Sequence, residues 1–198
     1  QGTPYIYQGE ELGMTNAGFS DIGQYRDVES LNAYRDLVGS GALDKRTMLR
    51  YLACTSRDNA RTPMQWSSGA CAGFSSGDPW ISPGHSWRAV NAERELADED
   101  SVYNFYRRAL RLRKESRTVR EGTFRLLWPD DERIFAYQRE YEGEKLTVLC
   151  NFSSETVPLP EPEPALGECL ICNYAGEGEP EVLRPWEARV VRSAVQIS

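Results

Sequence analysis

Apolar and polar positions change their period once along this chain, near residue 118. Before that point the spacing is helical. Asp21 has the chemistry of an N-cap and predicts a helix through about Leu37, ended by Gly39 and Gly41. Tyr25, Val28, Leu31 and Tyr34/Arg35 recur there at steps of three and four, the spacing of one buried face. Asp44 predicts a second cap, with a helix to about Thr55 that turns Met48, Leu49 and Leu52 inward. Asp100 or Ser101 caps a third helix to about Glu115, in which Val102, Phe105, Tyr106, Ala109 and Leu112 give the strongest period of all. Between these helices, residues 57–88 are rich in Gly, Ser, Pro and Trp and nearly aperiodic, which reads as a functional loop. The opening residues 1–9 form a β-branched and aromatic run between glycines and read as a strand.

After Thr118 short strand patterns take over, at 124–128, 133–139, 145–152, 168–173 and 188–193. Gly143 marks a hairpin turn, and residues 161–164 form an acidic proline loop. The chain therefore divides into a helical, loop-rich part over 1–118 and an antiparallel β part over 119–198.

Its 198 residues suffice for one domain or two small ones. With 23 Lys and Arg against 30 Asp and Glu, the net charge is −7, which argues against a nucleic-acid binder. No apolar run approaches the roughly 20 residues of a membrane helix, so no membrane role is expected. Five cysteines at irregular spacing read as reduced thiols in a cytoplasmic protein. His85 is the only histidine, so no histidine pair can hold a metal, and it reads as a loop residue. Cys169 and Cys172 have the C-x-x-C spacing, but in a strand positions i and i+3 face opposite sides, which argues against a metal or redox role. No cofactor is expected.

Three segments carry chemistry. Gly2-Thr3-Pro4-Tyr5-Ile6-Tyr7-Gln8-Gly9-Glu10-Glu11-Leu12-Gly13-Met14 resembles the eighth barrel strand and following loop of the α-amylase superfamily. Tyr25-Arg26-Asp27-Val28-Glu29-Ser30-Leu31-Asn32 and Arg57-Asp58-Asn59-Ala60-Arg61-Thr62-Pro63-Met64-Gln65-Trp66 resemble the oligo-1,6-glucosidase and α-glucosidase group within it. The resemblance continues through Gly73-Phe74, Pro79-Trp80, the helix of 101–116 and the β part, so it covers essentially the whole chain. It implies the last strand and helices of a (β/α)8 catalytic barrel over 1–118, followed by an antiparallel β-sandwich C-terminal domain over 119–198.

A retaining glycosidase needs a carboxylate nucleophile and a carboxylic acid/base about 5 Å apart. In the family these two groups, a third aspartate and the paired histidines of the pocket lie before the eighth strand. None maps onto this chain, which is therefore expected to be inactive alone and to need the upstream part of the barrel. The resemblance implies substrate-positioning residues instead. Arg57 matches the arginine that binds outer hydroxyls of the terminal glucose, a task suited to a planar, permanently charged fork; its other reading is a brace to Asp58 or Glu29. Glu29 matches a glutamate near the leaving sugar, or is a solvated helix carboxylate paired with Arg26 or Arg35. Glu11 is either support for the site or a substrate contact. Asp58 and Arg61 read as braces of the loop that Pro63 stiffens. Trp66, Phe74, Trp80 and Trp87 offer ring faces for sugars, with packing the competing use.

The expected activity is hydrolysis of terminal α-glucosidic bonds in α-linked gluco-oligosaccharides. Trehalose-6-phosphate hydrolase is the alternative within the class, and a non-catalytic scaffold or binding relative the alternative outside it.

Overall fold

The computed structural model describes residues 2–161, 163–176 and 178–194. They condense into two compact units, one over Tyr5–Asn104 and one formed by Phe105 onward together with residues 2–4.

In the first unit, Asp21 caps only a 3-10 turn, Ile22–Gln24, through a reciprocal capping box. Helix α1 (Val28–Gly39) starts six residues later than the sequence pattern predicts and is capped by Asp27, whose carboxylate accepts from the Ser30 N–H. The predicted buried face is corrected with it. Tyr25 is fully buried but precedes the helix, packing edge-on to Phe19 at 5.4 Å, while Val28 is 68 % exposed. The inward face consists of Ala33, Tyr34 and Val38. Helix α2 (Lys45–Thr55) forms where Asp44 predicts it, with Asp44 accepting from the Thr47 N–H at 3.0 Å. Its Met48 and Leu52 enter the core with Ala17, Phe19, Tyr25 and Ile81, and Leu49 packs against that core.

Residues 57–88 contain no element longer than the 3-10 turns Arg57–Ala60 and Ala70–Gly73. Asn91 caps a short helix, α3 (Ala92–Ala97), which the spacing does not predict. Residues 2–9 form no strand. A strand exists only through a ladder to a neighbour, and here the backbone turns instead into a 3-10 turn at Glu10–Leu12, with the Leu12 N–H on the Gly9 carbonyl at 3.1 Å.

Helix α4 (Val102–Glu115) follows, its first turn capped by the Ser101 hydroxyl, which accepts from the Asn104 N–H at 3.2 Å. A short helix α5 (Arg117–Glu121) leads into the second unit's sheet. All five predicted strands form: β1 (Arg125–Leu127), β2 (Ile134–Tyr141), β3 (Glu144–Asn151), β5 (Glu168–Cys172) and β7 (Ala188–Ala194), in the antiparallel order β1-β2-β3-β7-β5. Glu142 and Gly143, both at positive φ, make the two-residue turn between β2 and β3. The short strands β4 (Val157–Pro158) and β6 (Val182–Leu183) pair separately.

The sheet buries both faces differently. Leu127, Ile134, Ala136 and Leu149 form a core with Val157, Leu159, Ala165 and Leu183. On the opposite face Tyr137, Leu146, Val148 and Val190 line a cavity of about 290 Å³ under Phe105, Ala109 and Leu112 of α4. Cys150 opens into the same space, where burial pushes its thiol up to about 11.

Strand β5 departs from the expected alternation. A register irregularity between Cys169 and Ile171 sets Cys169 opposite Val191, Ile171 opposite Val190 and Cys172 opposite Arg189. Cross-strand partners share a face, so the inserted residue puts Cys169 and Cys172 on the same side of the sheet. The expectation that they face opposite sides is overturned, because simple alternation ignores the bulge.

The β unit also buries a carboxylate. Glu187 has no exposed surface and accepts from the Arg184 N–H at 2.8 Å, the Arg184 Nε at 3.0 Å and the Arg189 Nη1 at 3.5 Å. Burial alone would raise its carboxyl, but the Arg184 hydrogen bonds and the two guanidinium charges outweigh it and hold it below its ordinary 4.5. A carboxyl lowered by folding stabilises the native state above its unfolded value, and that contribution disappears as pH falls through the folded one. Acid melts below about pH 4.5 are therefore expected to show a steep loss of stability that Glu187→Gln flattens; unchanged pH dependence in the variant would exclude Glu187 as its source.

Candidate functional site

The site is built where the 57–66 loop meets the start of α1. Asp58 is fully buried, and its Oδ2 accepts from the backbone N–H groups of Arg26 and Asp27 at 2.7 and 2.8 Å. One carboxylate thus fastens the 3-10 turn after Ser56 to the residues that open α1. Its bracing role in the sequence reading is visible directly.

Asp27 divides its two oxygens. Oδ2 caps α1, accepting from the Ser30 N–H at 3.0 Å and the Ser30 hydroxyl at 2.8 Å. Oδ1 accepts from the Arg57 Nε at 3.0 Å, lies 2.8 Å from the Arg57 Nη2, and receives the Arg61 Nη1 at 3.4 Å. The Asp27 side chain is 4 % exposed. Burial would raise its carboxyl, and the Ser30 hydrogen bonds with the Arg57 contact bring it below its ordinary value, so it stays charged.

Arg57 is therefore fixed from beneath. Its Nη2 also lies 3.0 Å from the Glu29 Oε2, an oxygen on the solvated side of α1. Two of the predicted residues, Arg57 and Glu29, are brought together as an exposed ion pair resting on a buried aspartate. The Arg57 side chain is 56 % exposed, and its guanidinium has N–H donors beyond those directed at Asp27 and Glu29. Arg26 is not the partner of Glu29: its Nη1 donates to the carbonyls of Gly23 and Tyr25.

Glu11 is placed differently. Its carboxylate accepts from the Gly9 N–H at 2.8 Å, closing its own 3-10 turn. That is a supporting contact within the first segment. Nearby, the Tyr7 hydroxyl donates to the Ala60 carbonyl at 2.8 Å, tying the first segment to the third.

A cleft of about 210 Å³ lies beside the loop, with Gln8, Arg61, Pro63, Phe74 and Trp80 among its walls. Phe74 and Trp80 are 52 % and 68 % exposed, so their ring faces are open. Trp87 is stacked under Arg88, whose guanidinium carbon is 3.8 Å from the ring. His85 behaves as a loop residue, its backbone N–H bonded to the Ala17 carbonyl at 3.0 Å and its Nδ1 at 3.3 Å from the same oxygen. Among the described residues no cluster of three or more His, Cys, Asp or Glu side chains is arranged to hold a metal, and no helix is long and apolar enough to cross a membrane.

The residue that sequence reasoning missed is Asp27. Its signal is present, since Asp is a favoured N-cap residue wherever a helix begins, but the sequence reading takes Asp21 as the cap instead.

Residues 1–122 match the profile described as "Alpha amylase, catalytic domain". The chain belongs to the α-amylase family. Among its relatives it is 46 % identical to an α-glucosidase of Pediococcus pentosaceus, over 98 % of this chain and 35 % of that protein. It is 42 % identical to a probable oligo-1,6-glucosidase of Bacillus subtilis (strain 168), over 96 % of this chain and 35 % of that one. The crystal structure of trehalose-6-phosphate hydrolase from Bacillus licheniformis superposes with a TM-score of 0.91 at 41 % identity, covering 98 % of this chain and 36 % of the other. The chain thus spans about a third of the length of the relatives it matches.

Proposed function

We propose that this chain is the C-terminal part of a retaining, exo-acting α-glucosidase of the oligo-1,6-glucosidase kind, with the end of a (β/α)8 barrel over 1–118 and an antiparallel β-sandwich domain over 119–198. The observation that carries the reading is Arg57, held at 2.8 Å on a buried aspartate with further N–H donors beyond those contacts. In this reading those donors serve the outer hydroxyls of the terminal glucose, while Glu29 stands toward the leaving sugar and Glu11 supports the loop. The nucleophile and the acid/base carboxylates come from segments before this one. The substrate is an α-linked gluco-oligosaccharide, and the protein works in the cytoplasm.

Hydrolysis of trehalose 6-phosphate is the second reading, favoured by the superposition on a hydrolase of that name. The two differ in what the full-length gene product cleaves. The purified 198-residue chain is expected to release no p-nitrophenol from the α-glucoside, whereas the full-length product releases it and cleaves isomaltose faster than trehalose 6-phosphate. Turnover that co-purifies with the short chain would overturn the proposal. A full-length product inert on every α-glucoside would favour a scaffold.

A further inference from the structure

The bulge in β5 gives the C-x-x-C segment a geometry that its spacing alone denies it. Cys169 and Cys172 face Val191 and Arg189, which are two residues apart on β7 and therefore on one side of the sheet. The two cysteines stand as next-but-one neighbours, roughly 7 Å apart along the strand direction. Both line one cleft of about 600 Å³, together with Arg189 and Tyr174.

Polar groups of both charges surround the Cys172 sulfur. The Cys172 Sγ receives the Tyr174 N–H at 3.4 Å and the Arg184 Nη2 at 3.8 Å. The Cys172 thiol donates to the Glu187 Oε1 at 3.7 Å, a bond that metal binding would replace, and that carboxylate is also paired with Arg184 and Arg189. The Arg184 guanidinium is also stacked on the Tyr174 ring at 4.2 Å, which keeps it beside the sulfur. Burial raises the Cys169 thiol and the neighbouring Cys172 raises it further, so both sulfurs enter the site as protonated thiols whose protons a bound cation must displace.

We propose that Cys169 and Cys172 form a two-coordinate site for a soft monovalent cation, Cu(I) or Ag(I). Thiolates select soft ions, and a linear d10 centre needs only two of them. A tetrahedral ion such as zinc needs four ligands, and the described residues offer no cluster even of three. Two metal–sulfur bonds of roughly 2.3 Å each, laid in line, call for sulfurs about 4.6 Å apart, a separation that next-but-one side chains on one face of a strand can reach by rotamer change. A disulfide is disfavoured, because its Cα atoms must come within about 6.8 Å, the limit of what this register allows.

On binding, two S–H bonds break, two metal–sulfur bonds form, and both protons leave to solvent without electron transfer. The resulting centre carries one net negative charge. Arg184 beside Cys172, with Arg189 on the same face, supplies the countercharge.

The test uses the whole reduced chain under anaerobic conditions, in competition with a chromogenic Cu(I) chelator. Wild type is expected to take one Cu(I) per chain, and Cys169→Ser and Cys172→Ser each to lose that transfer. Cys54→Ser, Cys71→Ser and Cys150→Ser keep it. In parallel, one equivalent of Ag(I) per chain removes two thiols from reaction with a disulfide reagent in wild type, and not in Cys169→Ser or Cys172→Ser. No transfer to wild type, or full transfer to either single variant, overturns the proposal; so does aerobic loss of the same two thiols as a disulfide without metal. Should serine at half-buried Cys172 prevent folding, Cys172→Ala gives the same readout. The outcome does not depend on glycosidase activity.

Discussion

In the α-glucosidase proposed for the full-length product, Arg57→Ala is expected to lower kcat/KM roughly 10- to 150-fold, the equivalent of losing one charge-assisted hydrogen bond of about 1.5–3 kcal/mol. The fold is expected to survive, for a reason visible in the structure. The buried Asp27 carboxylate loses the Arg57 contact but keeps the Ser30 N–H, the Ser30 hydroxyl and the Arg61 Nη1. Its charge is never left bare, which is the condition that makes removal of one member of a buried pair so costly. Arg57→Lys should recover only part of the rate, since an ammonium keeps the charge but cannot hold Asp27 and a sugar with one planar fork. Steady-state kinetics and thermal melts separate the alternatives. A lowered Tm with normal kcat/KM would make Arg57 a brace and end its assignment to substrate.

The largest stability effect belongs to Asp58. Asp58→Ala is expected to cost about 3 kcal/mol, because it strands two backbone N–H groups, those of Arg26 and Asp27, without their acceptor. That corresponds to a Tm lowered by on the order of 10 °C. Asp58→Asn should recover most of it. Oδ2 alone accepts both N–H groups, whereas Oδ1 lies 3.8 Å from the Arg61 Nη1, beyond hydrogen-bond reach. An amide can thus place its oxygen toward α1 and its nitrogen at the other position without losing an accepted bond. Melts of the 198-residue chain, followed by far-ultraviolet circular dichroism, suffice. Alanine and wild type melting within a degree or two of each other would show that the loop is fastened elsewhere.

These two variants probe different layers of one construction. Asp58 fixes the backbone at the mouth of α1, Asp27 is placed by that backbone, and Arg57 is placed by Asp27. A site assembled in this order needs no ligand to hold its arginine ready, which lowers the ordering cost of binding.

Much of this was legible in the residues themselves. Asp44 as a cap, the five main strands and the turn at Gly143 all follow from rules acting over a few positions, and the structure has each of them. The Arg57 and Glu29 segments were legible only through their resemblance to a family, and their joining in space was not. What the pattern could not give is anything that depends on a distant partner. Residues 2–9 have strand composition yet form no strand, since composition sets a preference while a ladder needs a neighbour to complete it. Asp21 and Asp27 are both competent caps, and at the second of them Asp58, folded in from 31 residues away, accepts the Asp27 N–H where α1 begins. The pairing of Arg57 with Glu29 spans two segments that no local period connects. The shared face of Cys169 and Cys172 arises from one extra residue in β5, where β7 sets the register. In each case the deciding energy is a hydrogen bond or ion pair between residues far apart in sequence, and its geometry exists only once the chain has folded.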